Sequence, residues 1–205
     1  MIKYLLLITT VVFISCTTTR YNRQEVYLKE ISRYNLNNGD TLVDIGCEIG
    51  FHDYQIAHYY PDLFFVLEDI DANNLEQIKK NNANPQFVNP MKAGYELVLG
   101  TADTIPLREA TYKKILCRKT LHEFAQPGKM INEFKRILIP GGEVIIVDIN
   151  PKYPGQKYHD CIQPFLNKAQ IIQLFANEGF LLKSAASFTA RFTDLQDGNI
   201  LVFTK

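Results

Sequence analysis

Several features are scarce or missing in this sequence of 205 residues, and each absence excludes a class of protein. Lysine plus arginine number 22, as do aspartate plus glutamate, so the chain has no overall basic field that would attract nucleic acid. No apolar run reaches the roughly 20 residues that a membrane-spanning helix needs. No repeat of fixed period and no low-complexity tract occurs. The hydrophobic content of 46% is that of an ordinary globular protein, and we expect a single folded domain without a nucleic-acid partner.

Cysteine is also scarce, and its spacing is not that of a metal site. Cys47, Cys117 and Cys161 are scattered, with no CxxC or other ligand-like spacing. Two of them lie in apolar runs, where a cysteine is most often a small buried hydrophobe. We therefore predict no metal site and no disulfide.

The N-terminal residues differ in composition from the rest of the chain. The stretch MIKYLLLITTVVFISC has one early lysine, then an apolar and threonine-rich run, then Ser15 before Cys16. This run is too short to span a membrane but is typical of a secretory signal. It resembles a bacterial lipoprotein signal in which Cys16 is the acylated first residue of the mature chain, although Phe13 stands where leucine is usual.

This resemblance implies a signal peptide at residues 1–15, a tether at 16–22 and a folded domain at 23–205. Acyl chains on Cys16 would anchor the protein to a membrane, because each buried methylene contributes about 0.8 kcal/mol. The domain would then face outward, into the periplasm or cell envelope, with association at the cytoplasmic membrane as the alternative. The other interpretation is that Cys16 is an ordinary thiol near a simple signal or an uncleaved anchor.

Apolar runs of strand length alternate with helical patterns along most of the chain. The strand-like runs are TLVDIG, LFFVLED, YELVLG, KKILCR and EVIIVDI, and the helical patterns are FHDYQIAHYY, NNLEQIKKNN and GKMINEFKRIL. Strands that helices cover on both faces are continuously apolar, so the alternation predicts a parallel, doubly wound sheet. Ahead of them, RQEVYLKEISRYNL places Val26, Leu28, Ile31 and Leu36 at the spacing of an amphipathic helix.

The last third of the chain breaks this alternation. KAQIIQLFANEGF predicts a helix closed by Gly179, and two strand-like stretches follow, FLLKSAASFTARF and NILVFTK, joined through the turn signal DLQDGN. Since no helix separates them, they should form an antiparallel hairpin at the sheet edge. The predicted fold is α/β, a Rossmann-like doubly wound seven-stranded sheet, mostly parallel with a C-terminal antiparallel hairpin.

Five segments together carry a family resemblance. They are GDTLVDIGCEIG, FFVLEDIDANNLEQ, LGTADTIPL, LCRKTLHEF and NEFKRILIPGGEVIIVDINP. A lone glycine-rich turn is a poor identifier, but this ordered set resembles the class I S-adenosylmethionine-dependent methyltransferases. The resemblance implies S-adenosylmethionine as cofactor and methyl transfer to an unidentified small-molecule or lipid-like acceptor. The terminal hairpin argues against an NAD-type oxidoreductase.

The turn after the first strand is the first expected cofactor contact. Around Asp44, Gly46 and Gly50, missing side chains let a ligand approach the backbone at a helix N-terminus. An acidic residue at the end of the second strand can accept both hydroxyls of a ribose, and the resemblance favours Asp69, with Glu68 second.

The segment GTAD follows the third strand. There the resemblance implies that Ala102 and Asp103 frame adenine. RKTLHEF is expected to line the far side of the cofactor and the mouth of the acceptor pocket.

Three residues depart from the family pattern. Glu48 occupies the middle glycine position, Thr101 stands where an acid often meets the adenine amino group, and Lys113 replaces an aspartate at the start of the fourth strand. All three are expected on the cofactor side.

Glu48 adds a Cβ and a charge to the turn. Its carboxylate either pairs with the cationic groups of the cofactor, or the side chain fills the cavity and abolishes binding. The second outcome would leave a non-catalytic, membrane-tethered lipoprotein with a degenerate methyltransferase fold.

Methyl transfer relies mainly on alignment and exclusion of water, so a base is optional. If the acceptor must lose a proton, His122 is the expected catalytic residue, followed by Glu123 and His159. His52 and His58 are expected to be structural or exposed.

The segment NPKYPGQKYHDCIQPF contributes three aromatic residues. Tyr153, Tyr158 and Phe165 either wall an acceptor pocket or pack a loop.

Overall fold

The computed structural model describes residues 23–87, 90–159, 161, 163–190 and 196–205. The predicted signal peptide and tether, residues 1–22, lie outside this part of the chain. None of the described helices is long and apolar enough to cross a lipid bilayer.

Helices and strands alternate as the sequence predicts. The described helices are α1 (Arg23–Ile31), α2 (Phe51–Tyr59), α3 (Ala72–Ala83), α4 (Pro127–Ile137) and α5 (Lys168–Asn177), with a short 3-10 turn at Leu121–Glu123. The strands are β1 (Thr41–Ile45), β2 (Phe64–Asp69), β3 (Gly94–Leu99), β4 (Tyr112–Arg118), β5 (Leu138–Ile149), β6 (Leu181–Ala190) and β7 (Gln196–Thr204).

The strands form one seven-stranded sheet in the order β3-β2-β1-β4-β5-β7-β6. Strands β1 to β5 pair in parallel, whereas β7 pairs antiparallel with both β5 and β6. The predicted fold class and the C-terminal hairpin are confirmed. The chain winds outward from β1 in one direction and from β4 in the other, so the crevice for a ligand lies at the carboxyl ends of β1 and β4.

The sheet is buried on both faces, which explains its continuous apolar runs. On one face, Leu42 and Leu116 pack with residues of α1, α2 and α3. On the other, Val43 and Ile115 pack with residues of α4 and α5. Each strand therefore contributes alternate residues to two cores.

The first helix differs from its prediction in length and in the face that it buries. It ends at Ile31, and Leu28 is 45% exposed, whereas Tyr27, Glu30 and Tyr34 are buried. The period of an amphipathic helix was right, but the buried stripe includes a glutamate. Glu30 tolerates burial because the guanidinium of Arg118 lies 2.7 Å from its carboxylate.

The two glycines of the segment PGGE, Gly141 and Gly142, lie inside a strand. β5 already begins at Leu138, and its pairing with β4 jumps from Tyr112↔Leu138 to Lys114↔Glu143. Gly141 lies at this shift in register and has a φ of 75°, a conformation that glycine adopts without strain.

Candidate functional site

The carboxyl ends of β1, β2 and β4 border a cavity of about 360 Å³, a size suited to a small-molecule ligand. Its lining comes from four connections at this edge of the sheet. The lining residues are Ile45 at the end of β1, with Gly46 and Glu48 after it; Glu68 and Asp69 at the end of β2, with Ile70, Asp71 and Asn74 after it; Thr101 and Ala102 after β3; and Lys119, Thr120, Glu123, Phe124, Ala125 and Met130 after β4.

In the turn after β1, Glu48 adopts the left-handed backbone conformation that is usual for glycine. Gly46, Glu48 and Gly50 have φ values of 73°, 51° and 74°. A left-handed conformation costs a side-chain-bearing residue about 1–2 kcal/mol, so Glu48 strains the backbone rather than refolding the turn. Glu48 is exposed at the rim of the cavity. At Gly46 a Cβ would overlap the side chain of Thr120, so that position requires glycine.

Asp69, the predicted ribose ligand, lies at the cavity and also holds the neighbouring turns together. Its Oδ2 accepts a hydrogen bond from the Glu48 amide at 2.8 Å. Its Oδ1 accepts from the Asp71 amide at 2.8 Å and from Asn74 Nδ2 at 3.2 Å. A carboxylate has about four lone-pair sites, so these bonds leave one for a ligand hydroxyl.

Glu68 is a buried acid at the floor of the cavity. Its Oε1 has no hydrogen-bond partner among the described residues. Gly100 lies directly against this carboxyl group, and a Cβ there would overlap it. Burial raises the pKa of Glu68 to about 7. An unsatisfied buried carboxyl group at a cavity is suited to a polar ligand.

The charges around the cavity are mainly negative. Glu48, Glu68, Asp69, Asp71 and Glu123 all line it, whereas Lys119 is the only cation among its described lining residues. A ligand that carries positive charge would relieve repulsion among these carboxylates.

Two of the lining residues have shifted pKa values, and burial is the largest cause of each shift. Burial raises the pKa of Glu123, and nearby Glu48 and Asp69 raise it further, although His122 opposes them. Burial and the neighbouring Arg118 lower the pKa of Lys119.

Asp44 lies behind the glycine turn rather than in the cavity. It is buried against Asp53 of α2, which is fully buried as well. Burial and repulsion by Asp53 raise the pKa of Asp44 well above its ordinary value. Burial likewise raises the pKa of Asp53 to about 7. The pair therefore holds its protons more tightly than ordinary carboxyl groups do, and it lies behind the turn.

His122 follows β4 and is held by a carboxylate from β5. Its Nδ1 lies 3.0 Å from Asp148 Oδ2, and both side chains are almost fully buried. Phe165 packs edge-on against the imidazole ring, with ring centroids 4.7 Å apart. His122 does not line the larger cavity but faces a smaller one of about 160 Å³. Phe124 and Ala125 line both cavities, so the two adjoin.

Four of the predicted cofactor residues, Gly46, Glu48, Asp69 and Ala102, line the larger cavity. The others do not. Asp44 is buried behind the turn, and Gly50 is the N-cap residue of α2. Asp103 points its carboxylate to Lys129, 3.2 Å away.

The predicted position of Lys113 at the cofactor side is wrong. Its neighbour Lys114 pairs with Leu42 near the start of β1, whereas the cavity follows Ile45 at the other end of that strand. Lys113 is exposed at the amino end of β4. Thr101, the remaining departure, does line the cavity, and its Oγ1 accepts from the Thr104 amide at 3.0 Å.

The remaining histidines are structural or lie outside the site. His52 is buried, with Nε2 2.9 Å from the Tyr34 hydroxyl, and His58 is exposed. His159, a lesser candidate for the base, is exposed and lines neither cavity.

Lys119 and Thr120 were predicted at the cofactor only as part of the segment RKTLHEF, and Asn74 was not predicted as a site residue. The available signal was position, since Lys119 and Thr120 directly follow β4 and Asn74 lies in the first turn of α3 after Asp69. Asp148 was also missed, because only the pairing of β4 with β5 brings it to His122.

Comparison with known proteins agrees with this geometry. Residues 36–193 match the family described as "Methyltransferase domain". The chain belongs to this methyltransferase family.

Two curated relatives illustrate the range of the family. The chain is 29% identical over 113 residues to a tRNA U34 carboxymethyltransferase of Nautilia profundicola, covering 55% of the chain and 35% of that protein. It is 22% identical over 178 residues to a demethylmenaquinone methyltransferase of Oceanobacillus iheyensis, covering 83% of the chain and 73% of that protein. The domain thus spans about a third of the length of the first relative.

A solved structure of a SAM-dependent methyltransferase from Aquifex aeolicus has the same fold. It superposes with a TM-score of 0.68 at 17% identity, over 89% of this chain and 93% of that one. S-adenosylmethionine, the cofactor predicted from the sequence, is named in this neighbour and is consistent with the family match.

Proposed function

We propose that this methyltransferase domain binds S-adenosylmethionine in the larger cavity and methylates a small-molecule or lipid-like acceptor. The observation that carries the proposal is the cavity of about 360 Å³ at the switch point of the sheet, which stays open beside Glu48. Glu48 keeps the left-handed backbone of the glycine that it replaces, and its side chain is exposed.

The lining residues fit the chemical groups of this cofactor. The free acceptor site of Asp69 suits a ribose hydroxyl, and Lys119 suits the methionine carboxylate. Glu48 and Glu123 favour the ammonium and sulfonium charges. Thr101 and Ala102 would border the adenine.

When bound, S-adenosylmethionine supplies a methyl group on a sulfonium that is already an excellent leaving group. The task of the protein is then to align the acceptor and to exclude water. Acceptor binding fits the smaller cavity, which adjoins the larger one and includes apolar residues such as Leu121, Pro127 and Leu166. This apolar lining supports a lipid-like or other largely apolar acceptor.

His122 is suited to take a proton from the acceptor. With Asp148 accepting the Nδ1 hydrogen, the lone pair on Nε2 becomes the proton acceptor. Asp148 is the positioning residue, because it selects the tautomer and orients the ring.

The acceptors in the names of the relatives differ, since one is a tRNA U34 carboxymethyltransferase and the other is a demethylmenaquinone methyltransferase. The equal numbers of acidic and basic residues, 22 each, favour an apolar acceptor over RNA. Attachment to a membrane through an acylated Cys16 is part of this proposal and would bring the domain near lipid-like acceptors. Mass spectrometry of the mature N-terminus tests it, since an unmodified Cys16 contradicts it.

A second candidate is a tethered binding protein that no longer uses the cofactor. Two observations favour it, namely the charged Glu48 at the glycine position and the three internal hydrogen bonds that occupy Asp69. An outward-facing domain would also lie apart from the cytoplasm, where S-adenosylmethionine is made.

Calorimetric titration of S-adenosylmethionine into the full chain, purified in mild detergent, separates the two functions. We expect micromolar binding, and we expect Asp69→Asn to weaken it by at least about tenfold, or 1.4 kcal/mol. Glu48→Gly should change the affinity by less than about tenfold, because its side chain points to the rim.

Asn35→Gly is the matched control, because Asn35 also has a left-handed backbone, with φ 52°, but lies outside the cavity. If Glu48→Gly binds and the native chain does not, the second candidate is correct. If neither binds, the methyltransferase proposal fails.

A further inference from the structure

Metal-ligating side chains converge next to the two cavities. A ring nitrogen of His122, a Glu123 carboxylate oxygen and the Cys161 sulfur all lie within 4.8 Å of one another. His122 Nε2 is 4.0 Å from Glu123 Oε1, which is too long for a hydrogen bond. This nitrogen is buried and has no hydrogen-bond partner among the described residues. An unsatisfied buried nitrogen is unfavourable unless it meets a ligand.

The opposite side of the imidazole is held as in metal-binding histidines. Asp148 accepts from Nδ1 at 3.0 Å and also accepts from the Ile149 amide at 2.8 Å. A carboxylate in this position directs the Nε2 lone pair towards a metal and raises its basicity. The edge-on contact with Phe165 further fixes the plane of the ring.

From this geometry we propose that His122, Glu123 and Cys161 bind one Zn²⁺, with Asp148 as the positioning residue. Mixed nitrogen, oxygen and sulfur donors favour Zn²⁺ over Mg²⁺ or Ca²⁺. Tetrahedral zinc holds its ligand atoms about 3.5 Å apart, so the cluster must contract by about 1 Å on binding. The exposed side chain of Glu123 can follow this movement.

Three protein ligands leave the fourth position to water or to an oxygen of a bound molecule. The zinc ion would use the same Nε2 lone pair that accepts a proton in the metal-free domain. Zinc and general-base catalysis by His122 therefore exclude each other. The cysteine spacing that predicted no metal site could not indicate this cluster, since Cys161 lies in the loop before α5, far along the chain from His122 and Glu123.

The test is calorimetric titration of zinc chloride into the full chain after removal of metals with a chelator, in the absence of S-adenosylmethionine. We expect one Zn²⁺ per chain. Asp148→Asn should weaken binding by about 10- to 100-fold, and Cys161→Ser and His122→Gln by at least as much. Cobalt in place of zinc should produce a thiolate-to-cobalt charge-transfer absorption that disappears in Cys161→Ser.

His58→Gln and Cys47→Ser are the matched controls and should retain full affinity. Circular dichroism checks that each variant is folded. If His122→Gln unfolds, Cys161→Ser still tests the site, because Cys161 is only half-buried and lies in a loop. The proposal is overturned if the native chain does not bind zinc, or if Cys161→Ser binds it as tightly. Because no cofactor is present, this result is independent of whether the methyltransferase proposal holds.

Discussion

At the scale of single residues, Asp44 and Asp53 make the stability of the fold depend on pH. Both carboxyl groups are buried behind the β1 turn, where desolvation disfavours their charged forms. An acid whose pKa is raised on folding binds its proton more tightly in the folded state. Its contribution to stability is therefore present at low pH and is lost as the pH rises through the folded-state pKa.

We predict that Asp53→Asn stabilises the protein above neutral pH. The pKa of Asp53 rises from 3.8 to about 7, so the wild type should lose stability between about pH 4 and 7. An asparagine amide donates to Asp44 at every pH and avoids this loss. Thermal unfolding at pH 8 should show a higher midpoint, by about 2–4 °C for each kcal/mol gained.

At pH 5 the difference between Asp53→Asn and the wild type should be smaller than at pH 8, because only part of the loss between about pH 4 and 7 has then occurred. Part of the pH dependence of stability will persist in Asp53→Asn, since the pKa of Glu68 is also raised to about 7. The exposed Asp62→Asn serves as control. Equal midpoints for Asp53→Asn and the wild type at pH 8 would contradict the prediction.

At the scale of elements, α1 is tied to the sheet by a buried ionic network. Glu30 accepts from Arg118 Nε at 2.7 Å and from the Tyr34 hydroxyl at 2.6 Å. Burial opposes ionisation of Glu30, but Arg118 and His52 outweigh it and lower its pKa to about 2. Because Arg118 directly precedes Lys119, this network also fixes the start of the cavity-lining loop.

We predict that Glu30→Gln strongly destabilises the fold. Removing one partner leaves the buried Arg118 charge uncompensated, which costs about 3–5 kcal/mol. The unfolding midpoint in urea should fall accordingly. Glu25→Gln on the same helix is the matched control, because the ion pair of Glu25 with Lys29 is exposed to solvent and contributes little to stability. Equal losses for the two variants would argue against the network.

At the scale of the whole molecule, the site joins loops that follow separate strands. Residues after β1, β2, β3 and β4 all line the larger cavity. A ligand bound there contacts the folded state and not the unfolded chain, so it raises global stability by mass action.

We predict that S-adenosylmethionine at 100 times its dissociation constant stabilises the full chain by about 2.7 kcal/mol. The thermal midpoint should rise by about 5–10 °C. Asp69→Asn at the same ligand concentration should show a smaller shift. An unchanged midpoint for the native chain would support the non-catalytic alternative.

Much of the fold could be predicted because its signals are local. The apolar runs of β1, β2 and β4 and the turn at Gly46 and Gly50 lie in continuous sequence, and their order defines a doubly wound sheet. One position was wrong. Lys113 was placed on the cofactor side from the family resemblance, whereas the parallel register with β1 puts it at the amino end of β4, away from the cavity.

The sequence by itself determined the alternation of strands and helices, the switch point between β1 and β4, and the acidic residue at the end of β2. These follow from periodicity and turn chemistry over a few neighbouring residues. Tertiary structure alone decided that Glu30 meets Arg118, that Asp148 orients His122, and that Cys161 approaches both His122 and Glu123. These contacts join residues far apart in the chain, so they depend on strand register and loop paths that no local pattern encodes.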